Sequence, residues 1–359
     1  MRIVHYHPRA LVGDGGVSNS VRHLSRALAD AGAHAVIAYD AADGPPPADD
    51  RVEWIPVRHT GAGDVRVPVG MDRVFADGGV VVLNSAWTVS NERAGAVARR
   101  TGVPYIVAPR GAYDPLILRR RAGLKRAWWL LAEGRLVREA AAVHVFFADQ
   151  EQHVRSLGYT GRTVVAPNGI TVPPDVTWDG GSGGYLLYLG RFDPEHKGLD
   201  QLLDAVAGLP VHQRPQLKLV GPDWKGGHNV VLAHIARLGL EPWVTTAPAA
   251  YGDDKWDLMR KAAGFVYPSR WEGFGNSLAE AAAIGVPSLA TPYPLATHLA
   301  ERGAAIVTPP EDLGTAMLAL QAAPPMPAGL ADTLRREFTW DGVARRWLEQ
   351  VADMAAAAP

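Results

Sequence analysis

The chain has 359 residues, with 36 Lys and Arg against 37 Asp and Glu, 47% apolar residues, 38 Gly, 28 Pro and no Cys. Such a length and apolar content suit two domains with cores of their own, and exclude a disordered chain, a disulfide scaffold and a collagen-like repeat. A net charge of −1 gives no global reason to bind nucleic acid, and without Cys there is no thiolate nucleophile or thiolate metal site. The opening Met1-Arg2-Ile3-Val4-His5-Tyr6 lacks the marks of a signal peptide, and no apolar span approaches about 20 residues, so a soluble, cytoplasmic protein is expected.

Taken along the chain, short runs rich in branched residues predict strands at Ile3–Tyr6, Ala35–Tyr39, Val80–Leu83, Tyr105–Ala108 and Val143–Phe147, then at Tyr185–Leu189, Leu217–Val220, Phe265–Tyr267 and Ser288–Ala290. Between the first two, Val17, Val21, Leu24 and Leu28 fall on one face of a helix that Gly32 ends. Strand, helix, strand repeated this often predicts an α/β fold with parallel sheets covered by helices on both faces. The alternation breaks once, at Pro167-Asn168-Gly169-Ile170-Thr171-Val172-Pro173-Pro174 and the following Gly180-Gly181-Ser182-Gly183-Gly184, a stretch dense in turn formers. The predicted organisation is a first domain over 1–170, a linker over 171–184 and a second domain over 185–338. Each would hold a doubly wound sheet, with a ligand cleft between them at the carboxyl ends of the strands. The last helix, over 340–356, carries Trp340, Val343, Trp347, Leu348 and Val351 and is expected to pack back on the first domain.

Two segments can carry chemistry. Glu272-Gly273-Phe274-Gly275-Asn276-Ser277-Leu278-Ala279-Glu280 follows a predicted strand and opens a helix. Its glycines allow close approach of a ligand, and a helix start turns N–H groups and a positive dipole end toward an anion or a polyhydroxylated ligand. Ser277 and Glu280 also have the spacing of a capping box, in which Glu280 only caps its own helix. Gly190-Arg191-Phe192-Asp193-Pro194-Glu195-His196-Lys197-Gly198 lies between another strand and helix, where Arg191 and Lys197 suit a diphosphate. With Asp193 and Glu195 alongside, a self-neutralised surface loop is the alternative.

Together, Gly190-Arg191 with Lys197-Gly198, and Glu272-Gly273-Phe274-Gly275 with Glu280 beyond, resemble the retaining nucleotide-sugar glycosyltransferases of family 4. Asp14-Gly15-Gly16-Val17 matches their first glycine loop, and Pro109-Arg110-Gly111 and Asp114-Pro115 are similar to a subgroup linked to polysaccharide assembly. Pro167-Asn168-Gly169 and Gly221-Pro222-Asp223 agree as well. The resemblance implies the GT-B fold, two facing Rossmann-like domains with the donor bound mainly by the second. It places Arg191 and Lys197 on the donor diphosphate, Glu280 on the ribose hydroxyls, and Glu272 with Gly273, Phe274, Gly275, Asn276 and Ser277 along the transferred sugar. Pro248 and Ala249 would line the base, Gly15, Gly16 and Arg110 would reach the donor from the first domain, and Arg191, Lys197 and Glu272 form the implied catalytic set. Asp14, Gly15, Gly16, Trp87, Tyr113 and Asp114 fall on the acceptor side.

The charges agree with those roles, since a carboxylate accepts two hydroxyl protons from a diol and two cations suit a departing nucleoside diphosphate. No cofactor and no metal are expected; the nearest approach to an Asp-x-Asp motif is Asp193-Pro194-Glu195. The expected reaction moves a sugar from a nucleoside diphosphate to a hydroxyl of a glycan, lipid-linked glycan or secondary metabolite, with domain closure bringing the two together. A nucleotide-sugar epimerase on the same fold and a non-catalytic nucleotide-sugar binding partner are the alternatives. Three departures from the pattern stand out. Arg110 occupies a position where many members have histidine, Leu83-Asn84-Ser85-Ala86-Trp87 lacks the subgroup's usual histidine and glycine, and Pro248 replaces a usual glycine in the base loop.

Gly13-Asp14-Gly15-Gly16 is close to a dinucleotide fingerprint, but its third glycine is Ser18, and a tight turn is the alternative. From Arg119 to Arg138 the chain carries Arg119, Arg120, Arg121, Lys125, Arg126, Arg135 and Arg138 against only Glu133, with Trp128, Trp129, Leu130 and Leu131 interleaved. Residues Arg119 to Trp129 suit peripheral contact with the inner membrane surface or a phosphorylated carrier lipid; the alternative is tryptophans packed inward and arginines merely solvated. The histidines show no ligand spacing, and His5, His23 and His144 are read as structural.

Overall fold

The computed structural model describes residues 1–8, 15–44, 49–61 and 63–356. The chain divides into two compact units, Met1–Gly169 with Phe338–Pro359, and Ile170–Glu337.

The first unit is built on a sheet of β1 (Arg2–His7), β2 (His34–Asp40), β3 (Glu53–Thr60), β4 (Val67–Val69), β5 (Val80–Asn84), β6 (Tyr105–Ala108), β7 (Ala142–Val145) and β8 (Thr163–Val165), in the order β4-β3-β2-β1-β5-β6-β7-β8. All neighbours are parallel except β3 with β4. Every residue of β1 and β5 is buried, as expected of strands covered on both faces. Alternate side chains divide into two cores: Val4, Tyr6, Val81 and Leu83 on one face, Ile3, Val80 and Val82 on the other. Trp347 and Val351 of the helix Trp340–Ala356 join the second core beside Leu24 and Leu28 of the helix Gly16–Asp30.

The second unit holds β9 (Tyr185–Leu189), β10 (Gln216–Val220), β11 (Val244–Ala247), β12 (Gly264–Tyr267), β13 (Ser288–Ala290) and β14 (Ile306–Val307), ordered β11-β10-β9-β12-β13-β14 and parallel throughout. The strand order reverses between β9 and β12, so the loops leaving these neighbours diverge and open a crevice at their carboxyl ends.

The predicted linker differs from a free tether. Trp178 donates its backbone N–H to Ile284 O (2.8 Å) and its indole N–H to Ala262 O (2.8 Å), and Gly183 N–H reaches Lys261 O (2.9 Å). A Cβ on Gly181 would lie 2.8 Å from Ala263 Cα, so this glycine serves close packing rather than flexibility. Residues 170–184 therefore belong to the second unit, which ends at Glu337.

Candidate active site

The carboxyl edge of the second unit's sheet collects the loops that follow β9, β10, β11 and β12. Tyr188 donates its hydroxyl to Arg191 O (2.8 Å), Phe192 N–H bonds Pro222 O (2.9 Å), and Phe192 is buried. Gly198 adopts φ +64°, and a Cβ there would lie 2.0 Å from Pro268 O; one on Gly221 would lie 1.8 Å from Gly190 O. These two glycines let neighbouring loops touch backbone to backbone, which draws the side chains of 190–198 and 268–275 together.

Lys197 ends the short helix Pro194–Lys197, whose start Asp193 caps by accepting from His196 N–H (3.2 Å). Its ammonium is buried, donates to the Tyr267 hydroxyl (2.9 Å) and pairs with the Glu272 carboxylate. Burial pushes the Glu272 carboxyl up, but the charge and hydrogen bond of Lys197 outweigh it and hold it below the usual glutamate range. The Arg191 guanidinium stacks over the Trp224 ring, 4.4 Å from its centroid, and donates to His196 Nδ1 (3.2 Å). His196 Nε2 lies 3.0 Å from Trp271 O, a carbonyl that can only accept, so Nε2 carries the proton and Nδ1 is left as the acceptor for Arg191. Thus Arg191, Lys197 and Glu272 meet at the reversal of strand order. The separate tasks implied for Lys197 and Glu272 begin from one ion pair.

The loop Glu272 to Gly275 leads into the helix Asn276–Ala283, with Gly275 as its N-cap at φ 98° and no side-chain cap. Phe274 is buried, while Gly273, Asn276 and Ser277 are partly accessible. The capping-box alternative does not hold. Ser277 lies inside the helix instead of at its cap, and Glu280 accepts from Lys255 Nζ (2.9 Å) of the helix Gly252–Arg260. Burial raises the Glu280 carboxyl and Lys255 opposes the shift. Pro248 and Ala249 follow β11 on the same edge, Pro248 exposed and Ala249 partly so. The Tyr293 hydroxyl is buried without a hydrogen-bond partner, beside the space a Gly275 Cβ would fill (3.2 Å).

In the first unit, Gly15 (φ 57°) caps the exposed start of the helix Gly16–Asp30, and Asp14 lies outside the described residues. Ser18, the departure from the dinucleotide pattern, is buried and bonds His7 Nε2 (3.0 Å), tying that helix to β1. Arg110, at φ 54°, donates through Nε (3.1 Å) and Nη2 (2.6 Å) to Asn84 Oδ1, and burial pulls its pKa down to about 10. His5 and His144 are buried beside it. Burial, then Arg110 and His7, pull His5 down to about 3, so it is neutral at physiological pH. A depression whose lining includes Arg110, Gly111, Tyr113, Asp114, His144 and His153 opens here.

Two expected acceptor residues have their polar groups engaged by the protein itself. Tyr113 is 2% exposed and donates its hydroxyl to the buried Glu133 (2.6 Å), which also accepts from Trp87 N–H (3.2 Å). The Trp87 indole N–H goes to Ala112 O (3.2 Å), and its ring packs edge-on against Tyr113 (5.5 Å). A buried carboxylate needs these donors, which hold the Tyr113 hydroxyl and the Trp87 backbone in place, while the Trp87 side chain stays partly accessible. Asp114 is partly exposed and caps the helix Pro115–Arg119 by accepting from Leu116 N–H (2.8 Å).

Sequence reasoning missed the partners: Tyr267, Lys255 and Trp224 are distant in sequence from the residues they hold and carry no local motif. Among the described residues, no group of three or more His, Asp or Glu is placed to hold a metal ion, and no helix is long and apolar enough to cross a membrane.

Residues 15–169 match the family described as glycosyl transferase 4-like domain, and residues 183–322 match glycosyl transferases group 1. The chain is 35% identical over 105 residues to the O-antigen chain mannosyltransferase B of Escherichia coli, a match covering 29% of this chain and 27% of that protein. It is 30% identical over 187 residues to the mannosylfructose-phosphate synthase of Agrobacterium fabrum, covering 48% of this chain and 41% of that protein. The chain thus spans less than half the length of the curated relatives it matches. Among solved structures, a sucrose-phosphate synthase from Thermosynechococcus elongatus aligns with a TM-score of 0.79 at 19% identity, over 99% of this chain and all of that one. HepE of Anabaena, solved with UDP and glucose, aligns at 0.65 and 17% identity over 99% and 97% of the two chains. These likenesses show the GT-B fold.

Proposed function

From the matches to a glycosyl transferase 4-like domain over 15–169 and to glycosyl transferases group 1 over 183–322, we propose a retaining, metal-independent family 4 glycosyltransferase. It moves a sugar from a nucleoside diphosphate to a hydroxyl acceptor of the kind used in polysaccharide assembly. The observation that carries this reading is the meeting of Arg191, Lys197 and Glu272 where the second unit's strand order reverses. A diphosphate entering there exchanges hydration for two fixed cations, which take up the charge that grows as it departs. Glu272 keeps Lys197 oriented and follows the transferred sugar with the Gly273 to Asn276 backbone. Glu280, partly buried and held by Lys255, takes the two ribose hydroxyls.

The acceptor lies against Gly15, Gly16 and the surface of Arg110, Gly111 and Asp114. Its hydroxyl oxygen bonds the anomeric carbon on the face from which the diphosphate leaves, the carbon–oxygen bond to phosphate breaks, and the acceptor proton passes to the departing phosphate oxygen. No enzyme carboxylate needs to act as base, so rate enhancement comes from positioning and charge stabilisation. The epimerase alternative would need an acid and base pair at a sugar carbon, whereas Glu272 is engaged by Lys197. The names of the relatives, a mannosyltransferase and a mannosylfructose-phosphate synthase, support a hexosyl donor.

Thermal unfolding with a panel of nucleoside diphosphates and their sugars tests the reading. A ligand at 100 times its Kd stabilises by about 2.7 kcal/mol, so one base should stand out. No stabilisation by any of them contradicts it, and an epimerised sugar from donor alone would favour the alternative.

A further inference from the structure

We propose that residues 115–132 form a docking surface that seats the first unit on an anionic phospholipid bilayer. The segment comprises the helices Pro115–Arg119 and Ala122–Trp128 and most of a single π-helical turn, Trp129–Glu133. It carries Arg119, Arg120, Arg121, Lys125 and Arg126 and no acidic residue, in a chain whose net charge is −1. Its aromatic side chains face inward: Trp129 packs against Trp87 and Tyr113, and Trp128 directs its indole N–H to Glu133. What faces outward is arginine and leucine: Arg119, Arg120, Arg121 and Arg126 are exposed, whereas Lys125 is partly buried and donates to Ile117 O. Leu116, Leu124, Leu130 and Leu131 are 45%, 66%, 74% and 82% exposed. A merely solvated helix carries polar residues on its outer face, and four exposed leucines among four exposed arginines depart from that pattern.

The combination selects the occupant. Cations are drawn to the negative potential of acidic headgroups, and leucine side chains enter the acyl boundary beneath them. A nucleic acid would use the same cations but calls for exposed aromatic rings on which bases stack, and both tryptophans here are turned inward. A second copy of the chain would set two cationic surfaces against each other.

Co-sedimentation of the full chain with vesicles tests the proposal, comparing phosphatidylcholine alone with phosphatidylcholine containing about 30% phosphatidylglycerol. The parent should sediment with the anionic vesicles only, and binding should weaken as salt rises from about 0.1 to about 1 M. At about fivefold per cation, Arg119→Ser/Arg121→Ser/Arg126→Ser should lose on the order of 100-fold in affinity. Leu130→Ser/Leu131→Ser should lose about tenfold or more, its melting temperature showing that the fold is kept. A parent that stays in the supernatant, or variants that sediment like the parent, would overturn the proposal. So would tighter binding to a single-stranded oligonucleotide than to vesicles, or a dimer in light scattering that the leucine variant abolishes.

Discussion

The Lys197 ammonium and the Glu272 carboxylate form a buried ion pair, each side chain 9% exposed, with the Tyr267 hydroxyl as the second partner of Lys197. Breaking such a pair from one side leaves an uncompensated buried charge, at a cost of about 3 to 5 kcal/mol. Lys197→Met should therefore lower the melting temperature as well as the rate. Its pH dependence has a definite sign. The Glu272 carboxyl is held below its ordinary value of 4.5, so the stability it contributes is present above that pH and is lost as pH falls through its folded pKa. The melting gap between parent and Lys197→Met should narrow on acidification; a constant gap would contradict the pairing.

Arg191→Ala and Lys197→Ala should each lose on the order of 2 to 4 kcal/mol of transition-state stabilisation, read from kcat/KM. Tyr267→Phe removes a bond to a charged group and should lose about 1.5 kcal/mol. Normal turnover in both cation variants would remove the diphosphate assignment.

Glu280→Gln separates a ligand role from a structural one. The carboxyl is raised by burial, so its ionised form costs stability at neutral pH, and that cost fades as pH falls. Glutamine removes the cost while Lys255 loses its counter-charge, so the melting temperature should move little, within about 1 kcal/mol. The Kd for the nucleoside diphosphate should rise about tenfold, measured by titration calorimetry. A large drop in melting temperature with unchanged affinity would return Glu280 to a structural role.

Tyr113→Phe tests the interior assignment of that residue. Glu133 loses a hydrogen bond within the core, which should cost about 1.5 to 3 kcal/mol of stability, with the acceptor KM unchanged. A raised acceptor KM at normal stability would put Tyr113 back in contact with substrate.

Much of this was legible from the chain. The strands with continuous branched runs, such as β5 and β9, are found where the residues predict them, because strands covered on both faces must be apolar throughout. Others escaped notice. β3 is interrupted by Pro56 and alternates in exposure, β14 has only two residues, and β11 is half threonine. Arg191, Lys197 and Glu272 stood out because short motifs beside glycines carry them. Lys255 did not, since it reaches Glu280 from another helix, 25 positions away, and only the fold joins them. Trp87 and Tyr113 read as accessible aromatics because nothing local reveals that Glu133 is buried between them.

Retention of configuration follows from attack on the face the diphosphate leaves, and donor hydrolysis tests it without any knowledge of the acceptor. Incubating the protein with its donor sugar and recording proton NMR spectra before the released sugar mutarotates shows which anomer forms first. The first sugar released should have the donor's own configuration, and Asp14→Asn and Asp114→Asn should slow transfer by no more than about tenfold, or about 1.4 kcal/mol. An inverted sugar, together with loss of activity in either variant, would mean that a carboxylate acts as base and would contradict the mechanism.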